Sequence, residues 1–274
     1  MPCPWLVDVP SIAATHAPAE LHREVGAHMP RRIVFVQAGS EPPEDEVRWV
    51  EALSVTEEPR IVGIVAFTPV DRGARTRAAL DDLRRRPLVR GIRHIIQDQT
   101  DPGFCVRAEF VAGVRRLGEM GLSFDLCVRH HQLPAVAELV RACPDTSFVL
   151  DHMGKPPIRA GQLDPWRADI ARLADLPNVT CKISGLIAEA DPAAWTPAQL
   201  RPYVDHVLRV FGSERLLFGS DWPVVKMGSG YSDWVQTARA MLASESPSAQ
   251  AAIFTENAGR IYHLPPEAEA EAVG

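Results

Sequence analysis

The sequence predicts a single α/β domain built as a distorted TIM (β/α)8-type barrel, with seven of its eight strands visible and the first one missing. Three observations point there. Short apolar runs of strand length alternate with longer amphipathic segments down the whole chain, the pattern of parallel βαβ units covered on both sheet faces. The length of 274 residues is near that of such barrels, and 46% hydrophobic residues can fill the core. Polar or ionisable groups stand at five of seven strand ends, and in a barrel of parallel strands those ends converge on one face.

The opening thirty residues are the least regular. Pro2, Pro4, Pro10 and Pro18 punctuate them, and 18–28 (PAELHREVGAH) predicts one short helix with Pro18 in its first turn. Residues 32–38 (RIVFVQA) read as a strand buried on both faces. Residues 43–53 (PEDEVRWVEAL) read as a helix, with acids in the first turn and Val47, Val50 and Leu53 at helical spacing. The alternation continues with strands at 61–67, 89–96, 124–128, 147–151, 179–184 and 216–220, joined by helices at 74–85, 108–120, 133–142, 166–173 and 197–211, with another at 231–243 after the last strand. A final helix is expected at 248–264, packed beneath the barrel, so that the domain spans 1–264; the acidic, Ala-rich 265–274 is expected to be a disordered tail.

A net charge of −6 with scattered arginines argues against nucleic acid or an anionic membrane as partner. The five cysteines, Cys3, Cys105, Cys127, Cys143 and Cys181, form no C-x-x-C pair and fit buried free thiols better than a disulfide frame or zinc knuckle. With no run of membrane-spanning length and no basic-then-apolar leader, the expectation is a soluble cytoplasmic protein. Its partner would be a small molecule; assembly into a homo-oligomer is left open. Gly228-Ser229-Gly230 is too short for a phosphate loop.

The segment 216–225, LLFGSDWPVV, delivers Asp221 to a strand tip, where Trp222 can shield it as a pocket wall and Pro223 stops the ladder. A general base would sit there; an N-cap for the next helix is the other reading. His152 follows a strand and abuts Gly154-Lys155-Pro156, a turn able to hold it rigidly for a site role or for a mere loop hydrogen bond. Arg93, inside an apolar run beside His94, needs an anion, from substrate or from a structural salt bridge, and Lys182 faces the same choice. After Arg129, His130 and His131 are adjacent, so at most one faces the barrel mouth.

GIRHIIQ (91–97), FDLCVR (124–129), LDHMGKP (150–156), CKISGL (181–186), LLFGSDWPV (216–224) and NAGRIYHL (257–264) together resemble the amidohydrolase-related (amidohydrolase 2) family. The similarity is to its branch of sugar-lactone and pyrone-dicarboxylate lactonases, such as L-fuconolactonase and L-rhamnonolactonase. The resemblance implies a hydrolase that opens a sugar-acid lactone by water attack on the ring carbonyl. Asp221 would activate the water, and His152 would contact a divalent metal or the carbonyl. Arg93, His94, Arg129, Lys155 and Trp222 would bind substrate. His152 and Asp221 would hold zinc or manganese where a metal is used, and some members of the branch use none. A decarboxylase or amidase of the same superfamily, or an inactive barrel acting as a binding protein, are the rival readings.

The family pattern opens with a strand ending in His-x-His just ahead of the Pro4-Trp5-Leu6 element. Neither histidine is present here; His16, His22 and His28 lie beyond that point. The expectation is a strand upstream of Met1, lost to a clipped reading frame, because an open barrel leaves two unpaired edges; a true variant lacking part of the site is the other possibility.

Overall fold

The computed structural model describes residues 2–266. Seven parallel strands, β1 (Ile33–Val36), β2 (Ile61–Ala66), β3 (Val89–Ile92), β4 (Ser123–Leu126), β5 (Phe148–Leu150), β6 (Val179–Ile183) and β7 (Leu216–Phe218), lie side by side in chain order as one curled sheet. Among the described residues no ladder joins β1 to β7. The helices are α1 (Pro18–Val25), α2 (Pro43–Thr56), α3 (Ala74–Leu83), α4 (Ala108–Met120), α5 (Leu133–Ala142), α6 (Trp166–Ala174), α7 (Leu186–Glu189), α8 (Pro197–Phe211), α9 (Tyr231–Met241), α10 (Pro247–Ala251) and α11 (Asn257–Ile261). None of the described helices is long and apolar enough to cross a membrane.

Local chemistry accounts for the helix ends. In α2, Pro43 takes the first turn with Glu44, Asp45 and Glu46 behind it, where acids complement the helix dipole. Glu46 also reaches back to accept from the Ala38 amide at 2.9 Å, tying α2 to the end of β1. Thr196 caps α8 by accepting from the Gln199 amide, and Gly121, at φ 69°, closes α4.

Every strand ends sooner than the span expected from the sequence. Single backbone bonds continue past the ladders and keep the tips aligned: Gln37 N donates to Val65 O at 2.8 Å, Arg93 N to Ala66 O at 2.8 Å, and Gly219 N to Ile183 O at 3.1 Å. The helix expected at 18–28 gives way to a 3-10 turn at Gly26–His28. The one expected at 248–264 is broken by a π turn at Ala252–Glu256. Buried Asn257 donates from Nδ2 to Ser213 O at 2.7 Å and Leu216 O at 2.9 Å, which fixes the start of α11 against the start of β7. The expected tail lies, from residue 267 onward, outside the described residues.

Alternate strand residues face opposite ways, and two apolar regions result. The larger lies between sheet and helices and includes Ile64, Ile92, Phe110, Phe124, Phe148, Trp166 and Leu200, all fully buried; each such side chain contributes about 1.5–3 kcal/mol. The smaller fills the inside of the ring, where Val65, Val149 and Leu217 meet Ile261 and Tyr262 from the end of α11. Gly113 shows how closely the outer layer packs: a Cβ there would stand 1.8 Å from the Val70 carbonyl oxygen. Gly113→Ala is expected to lower stability by about 1–3 kcal/mol in urea unfolding, and an unchanged midpoint would contradict this contact.

Candidate active site

Above the small inner core the ring becomes polar. On β4, Asp125 faces inward, and Cys127 shares that face two residues on. Tyr262 donates its hydroxyl to Asp125 at 2.7 Å, and Lys182 of β6 donates to Asp125 at 3.2 Å and to Asp151, just past β5, at 2.6 Å. Arg93, just past β3, donates from Nη1 to the other Asp151 oxygen at 2.9 Å and from Nη2 to the Gln37 carbonyl. Burial opposes charge on Asp151, yet Lys182 and Arg93 together hold its carboxyl well below the usual range. Burial likewise opposes the Lys182 charge, but Asp151 and its neighbours hold its pKa well above normal. Asp125 moves the other way, since burial raises its pKa more than Lys182 lowers it.

This buried charge network supports a strained loop. After Asp151, both His152 and Met153 sit at φ 53° and Lys155 at φ 51°, a left-handed run that costs on the order of 1–3 kcal/mol per residue and persists only if its surroundings dictate it. They do so: Asp151 is clamped, Met153 is fully buried, and Trp166 donates to the Met153 carbonyl at 2.8 Å. His152 Nδ1 lies 2.9 Å from the Ser184 hydroxyl, which leaves Nε2 directed to Asp221, whose Oδ1 is 3.8 Å away. Gly185 makes room, since a Cβ at that position would stand 2.6 Å from His152 Nδ1.

Asp221 is itself left-handed, at φ 56°. Trp222 donates to Ser220 Oγ through its amide and to Glu24 through its indole, while Trp234 donates to the Gly219 carbonyl, so the loop is tied on both sides. The following 3-10 turn, Val224–Met227, has no side-chain cap, which removes the N-cap reading of Asp221. Burial pushes the Asp221 carboxyl up to about 7 and the His152 imidazole down to about 3. Near neutral pH the first is therefore poised to exchange a proton and the second is neutral.

The amidohydrolase family profile matches residues 7–264, nearly the whole chain. The chain belongs to the amidohydrolase 2 family. It is 33% identical over 243 residues to an L-fucono-1,5-lactonase of Burkholderia ambifaria, covering 85% of this chain and 80% of the relative. An L-fucono-1,5-lactonase of Burkholderia multivorans is 32% identical over 279 residues, covering 97% and 93%. Among solved structures, a Burkholderia multivorans amidohydrolase with bound zinc superposes with a TM-score of 0.87 at 30% identity, covering 96% of this chain and 94% of that one.

Within this amidohydrolase, the residues expected from sequence divide into two groups. Asp221, His152 and Lys155 gather at one mouth; Lys155 Nζ meets the Gln97 side-chain oxygen and lies 3.8 Å from Glu189. Trp222, next to Asp221, packs against Val25, Tyr231 and Val235, with its ring edge-on to His16 at 5.3 Å. Arg93 is close by, but its partner is Asp151, so the structural salt bridge is the alternative realised. His94 does not join the group: Arg93 faces the ring, so its neighbour faces the helices, where His94 stands among Phe67, Phe104 and Phe110. Its expected substrate role is corrected to packing. Arg129 is exposed, 3.8 Å from Asp98, and His130 Nδ1 lies 3.2 Å from the Lys155 carbonyl oxygen.

Asp125, Tyr262, Gln97, Glu189 and the inward placement of Cys127 were not expected. The alternation in FDLCV carried a signal for two of them, since it puts Asp125 and Cys127 on one face. As for a metal, Cys127, Asp151 and His152 offer ligand atoms within 4.8 Å of one another, and Asp221 adds a carboxylate beside His152. Thiol, imidazole and carboxylate form a donor set that suits zinc.

Lys182→Met would leave Asp125 and Asp151 without their shared cation, and a loss of about 3–5 kcal/mol is expected in denaturant unfolding. Tyr262→Phe removes one hydroxyl and should cost about 1–2 kcal/mol. Equal losses in the two variants would argue against a lysine-centred network.

Proposed function

We propose that this chain is a hydrolase that opens the ring of a sugar-acid lactone, of the fuconolactone or rhamnonolactone type, by attack of water on the ring carbonyl. The observation that carries the reading is the facing pair, an Asp221 carboxyl raised to about 7 and a neutral His152 imidazole 3.8 Å from it. Two titratable groups driven apart in acidity are what an acid and base division of labour requires. The kinship with relatives named as lactonases supports the substrate class.

In this mechanism ionised Asp221 takes a proton from water as the water oxygen bonds to the carbonyl carbon. His152, through Nε2, stabilises the oxygen that becomes negative, with Lys155 adding positive charge nearby. The ring carbon–oxygen bond then breaks, and the proton held by Asp221 passes to the departing ring oxygen, giving the open hydroxy acid. An alkoxide leaves more readily than an amine, so a carboxylic acid with a pKa of about 7 suffices as donor. Bound by His152 and Asp221, a zinc or manganese ion would supply polarisation of the carbonyl and a more acidic water. The zinc in the Burkholderia multivorans structure supports zinc in that role.

Asp221→Asn is expected to reduce kcat on L-fuconolactone by at least about 10²–10⁴-fold while substrate still binds; an undiminished rate ends the assignment. Because the base must be ionised, kcat/KM should rise with pH through about 7 and then level, and a flat profile would exclude Asp221 as that base. Stability should run oppositely. A carboxyl raised in the folded state stabilises fully below its unfolded pKa of about 3.9, and that stability is lost as pH climbs through the folded value. Above neutral pH, Asp221→Asn should therefore gain on the wild type, by a few kcal/mol at most, as the side chain keeps 15% exposure. Urea unfolding at several pH values measures this.

A further inference from the structure

We propose that Glu189 is a specificity-determining residue of this site: its carboxylate offsets the Lys155 ammonium, so that the mouth admits a neutral ring bearing hydroxyls and refuses a ligand bearing a carboxylate. The inference deepens the hydrolase reading and rests on it for the reaction, though not for the selection by charge.

The placement of Glu189 comes from α7. This short helix follows β6 across Gly185, and its residues Leu186 and Ile187 are buried. Gly185, Leu186, Ile187 and Ala188 line a small hollow together with Asp221, so α7 flanks the proposed base. The helix is wedged in place: a Cβ at Gly228 would stand 2.7 Å from Ile187 Cγ2, and Trp195 holds that glycine by donating to its carbonyl at 2.8 Å. Glu189, the last residue of α7, brings Oε1 to 3.8 Å from Lys155 Nζ. The two side chains keep 21% and 17% exposure, so a ligand can still reach both. Their charges act on Asp221 in opposite directions, Lys155 lowering its pKa and Glu189 raising it, as befits two groups that face one space.

Among the cations around the ring, Lys155 is the one a carboxylate would seek. Arg93 donates its two terminal nitrogens to Asp151 and to the Gln37 carbonyl, and Lys182 serves Asp125 and Asp151. Turning either of them to a ligand would strip a buried carboxylate of its partner, which is strongly unfavourable. Lys226, just past the Asp221 loop, is taken by Glu20 and by Glu24 at 2.8 Å. Arg159 is exposed and donates to the Ala190 carbonyl at 3.3 Å. Lys155 has three donors, of which one meets the Gln97 side-chain oxygen. Its backbone is fixed at φ 51°, and its amide donates to the His152 carbonyl at 2.9 Å.

A carboxylate approaching Lys155 therefore meets Glu189 as well and, once it is ionised, Asp221. One attraction is set against two repulsions, which is how a site rejects the wrong ligand. A hydroxyl meets no such conflict. Among the described residues Glu189 accepts no hydrogen bond, so both of its oxygens can receive one from a ring hydroxyl. The same charge acts on the way out, since ring opening converts a neutral lactone into a carboxylate that the mouth no longer favours.

The test uses glutarate, a small dicarboxylate, as probe in calorimetry of the full chain at low salt, where surface charges are least screened. The wild type is expected to show no saturable binding, and glutarate should not slow its hydrolysis of L-fuconolactone, a reading that needs no variant. Glu189→Gln keeps the shape and removes the charge; it should bind glutarate at least about 10-fold more tightly than the wild type. Adding Lys155→Met should abolish that gain, and Glu189→Asp should retain the refusal. In Glu189→Gln the KM for L-fuconolactone should rise about 3–10-fold with kcat preserved, because an amide oxygen accepts more weakly than a carboxylate. Glutarate binding that is equal in the wild type and Glu189→Gln, or a gain that survives Lys155→Met, overturns the proposal; if the wild type still opens the lactone, the hydrolase reading stands. Glutarate gained by Glu189→Gln and lost again with Lys155→Met, in a chain that opens no lactone, supports the charge selection and sinks the hydrolase reading.

Discussion

The double engagement of Asp151 by Lys182 and Arg93 is the interaction on which the site depends. Two cations from β6 and from beyond β3 converge on one carboxylate beyond β5, deep in a ring whose lower half is apolar. Taken singly, each of these charges would be costly to bury. Held together, they fix the first residue of a loop whose next two residues take up an unfavourable backbone conformation, and that conformation aims His152. The imidazole thus owes its direction to an ion pair it does not belong to.

A division of labour follows. Below the mouth Lys182 and Arg93 outweigh burial and keep Asp151 ionised. Asp221 lies beyond it with no comparable cation in contact, and burial raises its pKa instead. Asp151 and Asp221 therefore behave oppositely, separated by who their neighbours are.

Much of the fold was legible in the sequence because strand and helix periodicities differ and because turn residues mark their boundaries. Helices α4, α5 and α8 begin and end where the spacing of their apolar residues predicts. Strand ends were less legible, since hydrogen bonding stops where the chain curls toward the ring and not where hydrophobicity stops. Of the site, Asp221 and His152 could be seen because each closes an apolar run. Asp125 was hidden inside such a run, and Tyr262 was hidden by distance, its partner 137 residues away. His94 and Arg93 were read together as site residues, although neighbours at a strand end point apart. The structure separates them, one to the aromatic layer and one to the ring.

Tyr262 couples the two levels of the interior. Its hydroxyl completes the contacts of Asp125, and its ring caps the apolar floor on which the charges stand. Its partner lies 137 residues earlier in the sequence, so the polar mouth acquires its floor only once α11 has docked inside the sheet, and a disturbance of that short helix would be felt among the charges above it.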